Sequence, residues 1–271
     1  MKQFAVIGNP IKHSLSPILH NWVFKFLSIK ANYRKIHVSE DEIPNIIKEI
    51  RDGSISGINV TIPYKESIVR YIDEINPRSI AIGSINCIMK SQSKLIGNNT
   101  DWFGFCKTIE KNQIKIREKN VFLFGAGGTA KAIIFALKQL GVNKIYLFNR
   151  TVSKANKLKD NIVSPHHYNE LDNLINQDSI LVNTTSVGMQ SNDSPIELGL
   201  INKQNILIDV IYNPLETCFI KYGNSIGAKT INGLEMFIFQ ALASLDLWFG
   251  ESITKQVNFQ QIKTYLEENI C

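Results

Sequence analysis

One short segment constrains the fold more than any other: Gly125-Ala-Gly-Gly-Thr-Ala130, set between an apolar run and a helical pattern. Asn120–Phe124 predicts a strand, and Thr129–Leu140 carries apolar residues at helical spacing until Gly141 stops it. Strand, tight glycine turn and helix, in that order, open a βαβ unit, and Lys144–Phe148 supplies the next strand. The turn fits G-x-G-x-x-A. The first glycine allows the chain to reverse, the second lets a pyrophosphate approach the backbone, and Ala130 lets helix and strand pack closely. The helix N-terminus adds a positive dipole. The bland reading of the motif is a tight strand–helix turn with no ligand. Its strand–turn–helix context favours a dinucleotide site.

The rest of the chain repeats this texture. Phe4–Gly8, Tyr33–Val38 and Gly57–Ile62 read as strands, the last stopped by Pro63. Between them lie helical patterns at Ser16–Phe26, with Ile18, Leu19, Trp22, Val23 and Phe26 on one face, and at Glu42–Arg51. Ser84–Met89 and Leu95–Asn98 read as a hairpin, and a long helix runs from Asp101 to about Lys111. Strands near Ser179–Val182 and Asn205–Val210 continue the set, and helices at Leu234–Phe249 and Lys255–Asn269 close it. The 271 residues suffice for about two domains at roughly 150 residues each. The fold class is α/β, with a texture change after the polar stretch Lys111–Lys119.

Composition narrows the function classes. Hydrophobic residues make 44% of the chain and charged residues 20%, which suits a globular core and excludes a disordered protein. Thirty Lys+Arg against 24 Asp+Glu give +6, mild enough for small anionic ligands and no argument for nucleic acid. No apolar run reaches the length of a membrane span. Residues 1–8 carry no secretory leader pattern. Cys87, Cys106, Cys218 and Cys271 lack metal-knuckle or C-x-x-C spacing, and no His/Cys/Asp/Glu cluster has ligand spacing. A cytoplasmic, metal-free protein is the economical expectation.

The end of the second strand of the βαβ unit selects the cofactor. An NAD site places Asp or Glu there for the ribose 2′-hydroxyl. This strand ends Phe148-Asn149-Arg150-Thr151. Arg150 can pair with a 2′-phosphate, Asn149 and Thr151 can add donors, and Lys154 lies one helical turn on. A solvated arginine is the alternative reading. The expectation is NADP over NAD.

Two further motifs follow strands in the first half. Ser14 and Ser16 flank Leu15, with Pro17 suited to an early helical position and Ser16 to the N-cap. Two hydroxyls beside a helix N-terminus can hold a carboxylate. On pattern alone, one capping and one loop serine account for them. Asn59 and Thr61 alternate onto one face of their strand, and Lys65 falls on the first turn of a following helix, against its dipole. Gly97-Asn-Asn-Thr-Asp101 ends in a carboxylate at the start of the long helix; capping by Thr100 or Asp101 is the alternative there.

Taken together, these motifs resemble shikimate dehydrogenase over nearly the whole chain and in family order. They are G-N-P-I-x-H-S-L-S-P at 8–17, N-V-T-x-P-x-K at 59–65, N-T-D-x-x-G at 99–104, G-A-G-G-x-x-x-A at 125–132 and N-R-T at 149–151. Asn183–Met189, Asp209–Pro214, Gly233–Met236 and Gln240-Ala241 complete them. The resemblance implies two α/β domains flanking a cleft: a discontinuous substrate domain, 1–102 plus 236–271, and a Rossmann-like doubly wound NADP domain, 103–235. It implies NADPH-dependent, reversible reduction of 3-dehydroshikimate to shikimate, on the route to aromatic amino acids. Lys65 and Asp101 become the catalytic pair. Ser14 and Ser16 hold the substrate carboxylate; Asn59, Thr61, Asn86, Asp101 and Gln240 line the ring hydroxyls; Tyr212 lies nearby. Gly125, Ala126, Gly127 and Gly128 hold the pyrophosphate. Asn149, Arg150, Thr151 and Lys154 hold the 2′-phosphate. Thr184, Ser186, Met189, Gly233 and Met236 border the rest of the cofactor.

The chain departs from the family at Gly83-Ser-Ile-Asn-Cys87, where Gly-Ala-Val-Asn-Thr is common. Ser84 and Cys87 are small, so a repacked wall is expected, with Cys87 a buried hydrophobe and a reactive thiol as the alternative reading. His13 is read as structural, and His166 and His167 as members of a surface loop. A quinate/shikimate dehydrogenase using NAD is the nearest rival, and Thr151 stands where it would carry an acid. The NADP domain of glutamyl-tRNA reductase resembles residues 120–190, but the nucleophilic cysteine that enzyme needs is not found. A non-catalytic sensor of shikimate or nucleotide is disfavoured by the presence of both Lys65 and Asp101. Partners beyond a small-molecule substrate are not implied, and monomer and homodimer are both compatible.

Overall fold

The computed structural model describes residues 1–176 and 178–270. In chain order the strands and helices are β1 (Lys2–Gly8), α1 (Ser16–Phe26), β2 (Ala31–His37), α2 (Ile43–Asp52), β3 (Gly57–Val60), β4 (Glu74–Ile75), α3 (Pro77–Ile82), β5 (Cys87–Ser91), β6 (Lys94–Asn98) and α4 (Asp101–Lys111). They continue with β7 (Asn120–Phe124), α5 (Gly128–Gln139), β8 (Lys144–Phe148), α6 (Val152–Asn156), β9 (Val163–His166), α7 (Leu171–Leu174), β10 (Ile180–Asn183), β11 (Ile206–Asp209), α8 (Cys218–Ser225), β12 (Lys229–Ile231), α9 (Leu234–Phe249) and α10 (Phe259–Glu267). The chain divides into two compact units. Met1–Gly104 with Ile238–Asn269 form the first, and Phe105–Phe237 the core of the second. The divisions fall inside α4 and α9.

The first unit is built on a mixed sheet in the order β2-β1-β3-β5-β6-β4. β1 pairs in parallel with β2 and β3, while the hairpin β5–β6 runs antiparallel beside β3. Chain order reverses at β1, which has β2 on one side and β3 on the other. Both loops that leave its C-terminal edge, after Gly8 and after Val60, therefore open at one place, where α/β sheets bind ligands. α2 covers one face through Ile43, Ile46, Ile47 and Ile50, a single helical stripe. Gly53, at φ +88, ends it. On α1 the buried residues are Ser16, Leu19, His20, Val23 and Phe24. The apolar face is thus rotated from the one the spacing suggested: Phe26 is 51% exposed and stacks on Trp22.

The second unit holds a fully parallel sheet in the order β12-β11-β10-β7-β8-β9. Its switch point lies between β7 and β10, so Gly125 and Thr184 leave the sheet side by side. Phe122, Phe124, Phe148, Leu181, Leu207 and Phe219 fill one face. β9, β12, α3 and α8 were not anticipated. His166, expected in a loop, ends β9 opposite Phe148, and its ring bonds Glu170 (2.8 Å) and Ser164 (3.0 Å). His167 is exposed beside it. His13, expected to be structural, is exposed. No helix among the described residues is long and apolar enough to cross a membrane.

His20 is fully buried and stacks on Tyr33 at 4.1 Å, with neither ring nitrogen hydrogen-bonded. Burial pushes its pKa down to about 3 from 6.5, so the ring folds neutral. The unfolded chain takes up the proton first. Stability is therefore intact above pH 6.5 and declines as pH falls towards 3, by up to roughly 5 kcal/mol. His20→Phe keeps the stack and removes the titration. Its acid-unfolding midpoint, followed by circular dichroism, should fall below that of the native chain; an unmoved midpoint contradicts the assignment.

Candidate active site

In the first unit, three loops converge on Lys65. It lies in the turn that follows β3, two residues before the 3-10 turn Ser67–Tyr71. It does not begin an α-helix, so the anticipated conflict with a helix dipole does not arise. The turn is tied to the segment before β5, since the Ile85 N–H donates to the Lys65 carbonyl (2.8 Å). The lysine Nζ lies 2.7 Å from Asp101 Oδ2, with side chains only 11% and 7% exposed. Asp101 opens α4, where the helix N-terminus favours a carboxylate.

The second oxygen of Asp101 is held by Asn86 Nδ2 at 2.8 Å. Asn86 is the hub. Its Oδ1 accepts the Thr100 N–H (2.7 Å), and its amide nitrogen also reaches Thr100 Oγ1 (2.9 Å) and Gln240 Oε1 (3.3 Å). Three acceptors share the two amide hydrogens, and the Thr100 hydroxyl also reaches Gln240 Oε1 (3.5 Å). Asn99 Oδ1 takes the Asp101 N–H (3.0 Å), which leaves the Thr100 hydroxyl to face Asn86 and Ser244 rather than cap α4. Asn99 Nδ2 in turn donates to Ser84.

Asn59 sits behind this cluster. Its amide donates to the Asn86 carbonyl (3.0 Å) and Ser244 Oγ (2.9 Å), and its Oδ1 accepts the Tyr33 hydroxyl (2.8 Å). Both amide hydrogens are spent inside the protein, so Asn59 supports the wall rather than offering donors from it. Thr61 is half-buried, just past the end of β3, and its N–H donates to the Ile7 carbonyl. Its methyl fills the space beside Gly8, where a Cβ would fall 2.5 Å from Thr61 Cγ2. Ser14 Oγ accepts the Ser16 N–H (3.3 Å) and lies 3.2 Å from Ser16 Oγ. Ser16 is the first residue of α1 and Leu15 the N-cap, so the hydroxyl expected to cap the helix does not. The two hydroxyls lie together at the helix start. Sequence spacing had no means of revealing Ser244 or Tyr33, whose contacts cross up to 185 residues.

Cys87 adjoins the hub and is completely buried, which pushes its thiol up to about 12. It is a packing residue, resistant to alkylation at neutral pH. Mapping of iodoacetamide adducts should find Cys87 modified only after unfolding; labelling in the native protein contradicts its placement.

The second unit gathers the glycine turn. Gly125 has φ +107, and a Cβ there would lie 2.7 Å from Thr184 Oγ1. Gly127 is the N-cap of α5, and a Cβ there would meet only open space. The approach to the backbone at the helix N-terminus is therefore unobstructed, as a phosphate requires. Ala126 and Ala130 are buried, and Gly128 opens the helix. Arg150 is exposed at the end of β8; Asn149 spends one amide hydrogen on the Thr151 carbonyl (2.8 Å), shaping the turn that presents it. Lys154 is exposed on α6. No carboxylate follows β8 before Asp160, so the donor set fits a phosphorylated ribose. Thr184 Oγ1 donates to the Phe124 carbonyl (2.6 Å); Ser186 and Met189 are exposed on the same loop. Gly233 packs against the Val210–Ile211 backbone, where a Cβ would fall 2.1 Å from the Val210 oxygen. Met236 is buried nearby in sequence, and Tyr212 stacks on Phe237 at 4.3 Å. No group of three or more His, Cys, Asp or Glu among the described residues could hold a metal ion.

Residues 6–88 match the shikimate dehydrogenase substrate binding domain family, and residues 107–211 the shikimate / quinate 5-dehydrogenase family. Shikimate dehydrogenase (NADP(+)) of Caldanaerobacter subterraneus subsp. tengcongensis is 37% identical over 277 residues, covering 97% of this chain and 96% of that protein. The crystal structure of shikimate dehydrogenase from Aquifex aeolicus matches with TM-score 0.89 at 31% identity, over 98% of this chain and 97% of that one. The Thermus thermophilus enzyme, solved with NADP(H) and shikimate, matches with TM-score 0.87 at 28% identity, over 99% of both chains. With both family signatures in order along a chain that aligns nearly end to end with its relatives, this protein belongs to the shikimate dehydrogenase family.

Proposed function

We infer that the chain catalyses the reversible, NADP(H)-dependent interconversion of 3-dehydroshikimate and shikimate. The observation that carries this reading is the secluded Lys65–Asp101 pair, held at 2.7 Å, with the other Asp101 oxygen bonded by Asn86. Bound at the glycine turn, the reduced cofactor supplies a hydride. The ketone oxygen that receives the resulting electron pair needs a proton and a stabilising charge. The Lys65 ammonium supplies both, and Asp101 holds it in place. In the oxidative direction Lys65 takes the hydroxyl proton.

The remaining roles complete this reading. Ser14 and Ser16 hold the substrate carboxylate at the start of α1. Thr61, Asn86, Asp101 and Gln240 address the ring hydroxyls, with Asn59 as their support, and Tyr212 is a further substrate-binding residue. Gly125–Gly128 hold the pyrophosphate. Arg150, with Asn149, Thr151 and Lys154, holds the 2′-phosphate. Thr184, Ser186 and Met189 lie on the segment that runs past the cofactor, and Gly233 and Met236 on the side near the nicotinamide. Residues 1–102 with 236–271 serve as the substrate domain and 103–235 as the NADP domain. The enzyme acts on a small molecule in the cytoplasm, as monomer or homodimer, without nucleic acid.

Lys65→Ala should lower kcat at least about 100-fold with shikimate KM changed little, since the removed interaction belongs to the transition state. A variant near native rate takes Lys65 out of the chemistry. Arg150→Ala should weaken NADP(H) about tenfold or more while leaving NAD(H) almost unaffected, because the guanidinium addresses only the 2′-phosphate. Equal losses for both cofactors contradict its assignment.

A further inference from the structure

One buried carboxylate has no part in the chemistry above. Asp209 ends β11, is 1% exposed, and among the described residues is bonded by neutral donors. Burial pushes it up to about 6, opposed by hydrogen bonds from Ile211, Thr217 and Asn183. Its Oδ1 accepts from Asn183 Nδ2 (3.1 Å) and the Ile211 N–H (3.0 Å), and its Oδ2 from Thr217 Oγ1 (2.7 Å). A buried anion of this kind is a costly way to stabilise a fold, and an apolar replacement commonly serves as well. The three donors come from three different segments, which suggests what the group does.

Asn183, its partner at the end of β10, works in the other direction. Its Oδ1 accepts from the Thr185 N–H (3.0 Å) and Oγ1 (2.7 Å), and its Nδ2 also reaches the Val187 carbonyl (3.2 Å). Thr185 Oγ1 accepts the Val187 N–H (3.1 Å). These bonds fold residues 184–188 into one shape. Thr184, at the start of that loop, lies against Gly125, and Gly188, at its end, packs on Thr217. Thr217 caps α8 while donating to Asp209. One continuous set of bonds therefore runs from Thr217 through Asp209 and Asn183 to the loop beside the glycine turn.

We propose that Asp209 and Asn183 are positioning residues for the cofactor, fixing the loop 184–189 against the glycine turn without touching the ligand. The inference rests on the NADP(H) reading above and adds the residues that set its affinity. Each oxygen and amide hydrogen has a fixed partner: Asp209 accepts only, and Asn183 must donate to it. Exchanging Asn183 for Asp removes that donor and sets two carboxylates face to face. Such a pair binds together only when they share a proton, so the loop is held at low pH and released at high pH.

The test is NADPH affinity by titration of cofactor fluorescence, with shikimate KM and thermal midpoint alongside. Asn183→Ala should raise the NADPH Kd about tenfold or more with shikimate KM unchanged within about twofold. Asn183→Asp, measured from pH 6 to pH 9, should show a Kd ratio to native protein that grows about tenfold across the range. The native protein corrects for titration of the cofactor phosphate itself. Native-like Kd for both variants, or an Asn183→Asp ratio independent of pH, overturns the proposal. Native protein that fails to bind NADPH removes the cofactor reading and this inference with it.

Discussion

Lysine and aspartate at 11% and 7% side-chain exposure give up most of their hydration, and the rest of the first unit is arranged to compensate. Such a pair is tolerable only when its remaining lone pairs and protons are satisfied. Asn86 satisfies Asp101, Thr100 and Gln240 border Asn86, and Asn59 and Ser244 hold that layer from behind. The sheet order explains why these residues can meet. β3, β5 and β6 are adjacent, so the turn after β3, the start of β5 and the end of β6 lie at one edge. Register completes the argument, since Asn59 is paired with Cys87 and Cys87 with Asn98.

The second unit's glycine turn is governed by backbone rather than charge. Gly125 must adopt a positive φ and must lack a Cβ, because Thr184 already occupies that space. Gly127 leaves open the approach to the start of α5. After β8 an exposed arginine stands where an NAD site would carry a carboxylate. A parallel sheet with its switch point between β7 and β10 brings the glycine turn and the Thr184 loop together.

The features legible in the sequence were local ones. β7, the glycine turn, α5 and β8 announce themselves through apolar runs and glycine placement, and α4 through its acidic start and helical spacing. The family motifs located Lys65, Asp101 and Asn86 because chemistry fixes their residue types. Short elements escaped: α3 has six residues and β12 three, too few for a period to register. Lys65 was expected on the first turn of a helix, but the chain turns there before tightening into a 3-10 segment. Ser16 matched a capping pattern, yet the N–H it would serve belongs to a helix that begins at Ser16 itself. The supporting residues were illegible for a different reason. Tyr33, Ser244 and Asp209 act through partners set by tertiary packing, and no spacing along the chain encodes those.

The central claim is that the Lys65–Asp101 pair and the Arg150 strand end together define an NADP-specific shikimate oxidoreductase. The most direct measurement follows reduced nicotinamide by absorbance with shikimate, using NADP and NAD in parallel and repeating both with quinate. The account predicts rapid turnover with shikimate and NADP, and little with NAD or quinate. Efficient use of NAD or of quinate contradicts the specificity read from these residues, and binding of shikimate without turnover contradicts the assignment of the lysine and aspartate as a catalytic pair.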